Sequence, residues 1–282
     1  MSDTRNAGQG AWSRFVEVEP QERRALALAF ACNFVLLGSY YILRPVRDAM
    51  ATVFGVDQLQ NLFTGTLVLT LLASPAFAWL TDHFRLSRVL PGVFAFWILN
   101  ILGFCAWFQA SPESRTLAAA FYWWFSVVNL FMISVFWSLV VDVFTPGQAS
   151  RLLPAITAGG SLGAIAGPLV ASLFATSIGV SGLLLVSAGG LAIVIAMVLS
   201  MIGEKARLRE AQQETQASTL ERQLGGSWLD GFKVLFTSSY VMNQALFMLL
   251  MTWIATIGYF LQTELVAKAF TAIEIGWPFE KL

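Results

Sequence analysis

Seven apolar segments, each long enough to cross a bilayer, constrain this chain more than any other feature. They run Ala25–Leu43, Leu59–Leu80, Val89–Phe108, Leu117–Val141, Leu152–Thr176, Leu183–Ile202 and Tyr240–Leu261. A spanning helix needs about 20 mostly apolar residues. Lipid offers no partner to a free N–H or C=O, so a spanning segment must satisfy its backbone within itself or in a closed barrel. Barrel strands are segments of about ten residues that alternate in polarity. The runs here are continuous, which predicts an all-α membrane protein. Composition agrees: 57% of residues are hydrophobic and 12% are charged, against about 25% charged in a soluble domain.

The segments divide the chain. Residues 1–24 are a polar tail with Arg5, Arg14, Arg23 and Arg24. The apolar run that follows is too long for the core of a cleavable signal, so it is expected to remain as the first span. Residues 25–203 make a six-helix half, 204–232 a charged linker, and 233–264 a seventh helix. The tail 265–282 is neither a span nor an ordinary basic terminus, which favours a truncated reading frame over a natural seven-helix protein. With the N-terminus cytoplasmic, twelve basic residues fall inside and five outside, and the connection between the fifth and sixth segments has no charge. That distribution obeys the positive-inside rule, and a bacterial inner membrane is the expected location.

Several function classes are excluded. The 17 basic and 17 acidic residues balance, so there is no nucleic-acid footprint. Cys32 and Cys105 lie in separate apolar runs and His83 is the one histidine; neither a disulfide nor a metal set is implied. No cofactor is expected. No nucleophile, base and orienting group cluster, so an enzyme is not expected.

The stretch from Tyr40 to Met50 concentrates the chemistry, with Arg44, Pro45, Arg47 and Asp48 where the first segment meets the outer face. Apolar sequence resumes from Ala49 to Phe54, so the helix is free to continue past the charges. A membrane helix tolerates proline when the freed carbonyl finds another partner. On a helix Arg44 and Arg47 share a face, and Arg44 and Asp48 are spaced to pair. Two readings stand side by side. Both guanidinium forks face a water-filled cavity and bind an anionic solute, or both snorkel to outer headgroups with Asp48 neutralising one. Arg44 lies 19 residues beyond Ala25, about 28 Å of helix, so depth does not separate them.

Further candidates follow along the chain. Asp82, Arg85 and Arg88 in the tight loop after the second segment can tie helix ends together in one conformation and release them in another. Asp142 and Arg151 flank a short inner loop and are spaced as a gate pair. Gly159, Gly163 and Gly167 recur every four residues, a groove that lets a neighbouring backbone approach closely. Asn33, Asn100 and Asn129 are the deepest polar groups in the spans; such groups mostly hydrogen-bond to neighbouring helices, and Asn33 is the candidate among them to touch a solute. Glu264 nears the outer face, where it can meet Arg44 or Arg47. The linker from Glu204 to Arg222 is polar all round and reads as a solvated surface helix with no binding role.

Ala78 to Arg88 resembles the loop between the second and third helices in the major facilitator superfamily: a small residue, then Asp, an aromatic and spaced basic residues. Gly163 to Pro168 resembles a fifth-helix motif of antiporters in the same superfamily. Within it, Tyr41-Ile42-Leu43-Arg44-Pro45-Val46-Arg47-Asp48 resembles the first-helix motif of the ATP/ADP translocases of plastids and intracellular bacteria. Phe136-Trp137 and Arg151 resemble their fourth-to-fifth helix region. Arg47 stands where those translocases have a nucleotide-binding lysine, and Phe125 stands where they carry an acidic residue. The resemblance implies a secondary transporter, embedded in the bilayer, that moves a small anionic solute by alternating access, with ATP/ADP exchange as its specific form. The alternative is a membrane protein without independent transport activity, because the solute path in such folds lies between two six-helix halves.

Overall fold

The computed structural model describes residues 18–19, 22–55, 58–83, 86–111, 114–212 and 236–272, with side chains throughout except at 76–83, 86–88, 206–212, 263 and 266–272. Six helices account for nearly all of it: α1 (Arg23–Phe54), α2 (Leu59–His83), α3 (Leu86–Ala110), α4 (Arg115–Val143), α5 (Pro146–Gln212) and α6 (Ser239–Ala272). Among the described residues there is no strand. Five of these stretches are long and apolar enough to cross a membrane, and one of them, Pro146–Lys205, is 60 residues long. With the two limbs of α5 counted separately and α2 included, the seven apolar segments all appear as helical rods.

The helix ends show where sequence governs. α1 does not stop at the arginines. It runs through Pro45 to Phe54 and ends at Gly55, whose φ of 121° suits a residue without a Cβ. Ser114 caps α4 by accepting a hydrogen bond from the Leu117 N–H at 3.3 Å. α5 holds the fifth and sixth segments in one run, broken at Gly179, where φ is 65° and ψ is −175°. That backbone region is open essentially to glycine alone. The contacts of the two limbs show that the chain doubles back there. A Cβ on Gly163 would meet the backbone of Phe34 and Gly38, while one on Gly190 would meet Ser39. Residues on either side of Gly179 therefore sit at one level of α1, the first limb parallel to it and the second antiparallel.

α1 is the hub of the bundle, packing most extensively on α5 and then on α4. Its seam with the first limb is a run of backbone contacts. A Cβ on Gly159 would lie 2.5 Å from the Phe30 carbonyl oxygen, one on Gly163 would collide with the Phe34 carbonyl oxygen, and one on Gly167 would lie 2.6 Å from that of Gly38. Glycines and carbonyls share a four-residue period, the geometry by which small residues let membrane helices approach. Where α1, α3, α4 and α5 meet, Leu36, Leu43, Phe94, Phe121 and Phe125 are fully buried.

Outward faces are apolar too, with Leu72, Leu99, Ile165, Leu173 and Ile193 all more than half exposed. That is a surface made for hydrocarbon. Nearly all the described side chains of α6 are exposed. It touches the bundle through Tyr259 and Phe260, whose rings lie 5.7 and 5.1 Å from that of Phe63 on α2.

Candidate functional site

Three sets of polar groups stand out, and α1 contributes to each. The first is the charged stretch toward the Gly55 end of α1. Arg47 is held by Asp48, its neighbour in sequence, through Nε at 2.9 Å and Nη2 at 2.5 Å. The expected pairing of Arg44 with Asp48 is therefore replaced: Asp48 already accepts both bonds of the Arg47 fork. The Arg47 guanidinium also lies 5.1 Å from the Tyr122 ring centroid, 5.9 Å from Phe125 and 5.8 Å from Tyr259. Aromatic faces attract a cation at such distances. The Tyr259 hydroxyl donates to Asp48 at 3.3 Å, which ties α6 to α1. Neither Tyr122 nor Tyr259 was marked by the sequence, since their value comes from helices brought together in space. Arg44 is exposed. Its guanidinium sits 5.4 Å from the centroid of the Tyr41 ring, and among the described residues no carboxylate pairs with it.

The second is a cavity of about 300 Å³ between α1, α4 and α5, lined by Asn33, Leu37, Tyr41, Phe136, Trp137, Thr157 and Ser161 among others. Asn33 is buried, and its Nδ2 donates to the Ile156 carbonyl of α5 at 2.9 Å. Its amide thus braces α1 against α5 while facing the hollow. The Thr157 hydroxyl bonds the Leu153 carbonyl and the Ser161 hydroxyl bonds that of Thr157. Phe136 and Trp137 meet edge to face at 5.3 Å and supply the flat apolar wall. Tyr41 joins the two sets, lining the cavity and lying beneath Arg44. Asn100 instead bonds its own helix, to the Phe96 carbonyl at 2.7 Å, and the hollow beside it follows one face of α3.

The third set lies at the opposite end, where α1 begins. Asp142, at the end of α4, pairs with Lys205 on the second limb of α5 at 2.6 Å, both side chains almost fully buried. Arg151, on the first limb, pairs with Glu22 at 2.9 Å and reaches Glu19 at 3.8 Å. Arg24 pairs with Glu204 at 3.0 Å. Asp142 and Arg151 thus take different partners rather than each other, because the second limb brings an ammonium to Asp142 and the start of α1 brings carboxylates to Arg151. The linker reading is corrected at its first two residues, while residues 213–222 lie outside the described residues. Helix α5 continues to Gln212, and Glu204 and Lys205 are buried in ion pairs rather than solvated. Lys205 and Glu22 were missed because nothing in the sequence marks positions 63 and 129 residues away as neighbours.

Other expected site residues fall outside this geometry. The side chains of Asp82 and Arg88, like residue Arg85, lie outside the described residues. Glu264 is exposed on α6, and Arg47, one of its two expected partners, is engaged by Asp48. Among the described residues no cluster of His, Cys, Asp and Glu could hold a metal ion.

A family model described as Major Facilitator Superfamily matches residues 29–280. No curated protein and no solved structure matches the chain.

Proposed function

The chain belongs to the major facilitator superfamily of secondary membrane transporters, and we propose that its solute is an anion bound beside Arg44 and carried by alternating access. One observation carries this reading. The Arg44 guanidinium, with no carboxylate partner among the described residues, lies over Tyr41, a residue that lines a cavity deep enough to include Asn33. A cation over a cavity wall attracts an anion and orients it. Arg47 has a different role in the proposal. Its fork is occupied by Asp48, so it is freed for solute when that pair opens, and Asp48 is the switch. The ion pairs of Asp142 and Arg151 at the other end, together with Asp82, Arg88 and Glu264, are proposed as the gating groups.

The resemblance of residues 41–48 to the ATP/ADP translocases makes nucleotides one class of anion to be tested at this site. The bias in basic residues supports a cytoplasmic N-terminus in a bacterial inner membrane. The test is uptake of radiolabelled anions, ADP, ATP and a monocarboxylate among them, into proteoliposomes holding the full chain, with Arg44→Ala and Arg47→Ala compared to the parent. Loss of uptake in Arg44→Ala, with a smaller loss in Arg47→Ala, is the expected result. Equal uptake by all three removes the arginines from the site. The long exposed surface of α6 favours a second reading, in which the chain transports only with a partner protein packed there. Uptake by the purified chain alone rules that out.

A further inference from the structure

The charge and shape around Arg44 say more about the solute than its sign. Resting on the proposed anion site, we infer that the solute is a singly charged organic anion with a ring-sized apolar body, such as an aromatic monocarboxylate. Among the described residues, Arg44 lies against Tyr41 of the cavity wall, while Arg47 and Asp48, close by on α1, meet Tyr122, Phe125 and Tyr259, which do not line it. Arg47 and Asp48 neutralise each other, so the set carries one uncompensated positive charge, that of Arg44. One charge matches one carboxylate. A nucleoside diphosphate or triphosphate would bring several negative charges to a single free fork.

The cavity supplies the rest. Its volume of about 300 Å³ is at the small end of ligand pockets, and among the described residues none that lines it is charged. Tyr41, Phe136 and Trp137 give flat apolar surfaces, which suit an aromatic ring. Asn33, Thr157 and Ser161 add a few polar atoms to fix its orientation. A small inorganic anion would leave this wall unused. A solute with its ring against Tyr41 and its carboxylate directed past that ring meets Arg44 and uses both.

The test compares ligands that share a ring and differ in charge. Binding of labelled benzoate, phthalate, benzamide, acetate and ADP to the purified full chain is measured at neutral pH. The parent is expected to bind benzoate at least tenfold more tightly than phthalate, acetate or ADP, and to ignore neutral benzamide. Arg44→Ala should weaken benzoate at least tenfold. Asp48→Asn frees the second fork and should reverse the preference toward phthalate. Gel filtration of each variant separates these losses from misfolding, which the exposed position of Arg44 makes an unexpected outcome. Preference of the parent for ADP or phthalate, or binding of none of the probes, overturns this inference. In the former case the anion reading stands. Benzamide bound as tightly as benzoate overturns both.

Discussion

Replacing Gly163 by alanine adds one methyl group where α5 has no room for it. The new carbon would collide with the carbonyl oxygen of Phe34 and lie 2.9 Å from the Gly38 nitrogen and 3.0 Å from the Phe34 carbonyl carbon. Ordinary contact begins at 3.4 Å, so α1 and the first limb of α5 must part by about 0.5 Å or more. A gap of that size loses roughly a quarter to a half of each dispersion contact, each worth about 0.1–0.2 kcal/mol. Spread over several tens of contacts along the seam, the loss comes to about 1–3 kcal/mol, the range of overpacked cores. Gly103 on α3 is the control, because a Cβ there meets nothing within 4 Å. Alanine there is expected to be neutral or slightly stabilising, as alanine favours helix over glycine. The assay is unfolding of the purified chain in mixed micelles titrated with sodium dodecyl sulfate, followed through its 10 tryptophans. Opposite signs at the two positions are expected. If Gly163→Ala is as stable as Gly103→Ala, the close seam is refuted.

Three further outcomes are expected in the same assay. Lys205→Ala removes the ammonium that faces the buried Asp142 and should cost about 3–5 kcal/mol, while Lys205→Met with Asp142→Leu should recover most of that loss; a double variant no better than the single one would contradict it. Gly179→Ala places a Cβ on a backbone at φ 65° and should cost about 1–3 kcal/mol, and a variant of unchanged stability would show that the reversal is made otherwise. Asn33→Leu removes the bond to the Ile156 carbonyl, at a cost of about 1 kcal/mol, and should also alter solute uptake. Unaltered uptake would leave Asn33 a brace alone.

What the sequence disclosed follows from which forces are local. Hydrocarbon acts on every residue of a span alike, so the spans could be read as unbroken apolar runs. The four-residue glycine period was visible because one helix carries it, although its counterpart, the carbonyls of Phe30, Phe34 and Gly38, has no signature at all. The continuation of α1 past Arg44 was left open by its apolar resumption, and packing against Tyr122 and Tyr259 supplies the reason it persists. Partner choice was not legible. Asp142 meets Lys205 and Arg151 meets Glu22 because α5 doubles back at Gly179, and the direction of that fold sets which charges arrive. Spacing along one helix suggested Arg44 with Asp48, whereas the fork of Arg47 was nearer.

The dependence of α1 on α5 has a consequence for the order of events at the ribosome. The amide of Asn33 bonds a carbonyl 123 residues later in the chain, and the Ser39 carbonyl accepts from a hydroxyl 148 residues later. Translation at roughly 5–20 residues per second leaves the first helix waiting on the order of ten seconds for these neighbours. During that interval its glycine-matched face and its buried amide have only lipid, the insertion machinery or α2 to α4 for company. The helix that organises the finished bundle is thus the first made and among the last completed, so a lesion in α5 is expected to show itself as degradation of newly made chain before any loss of transport can be measured.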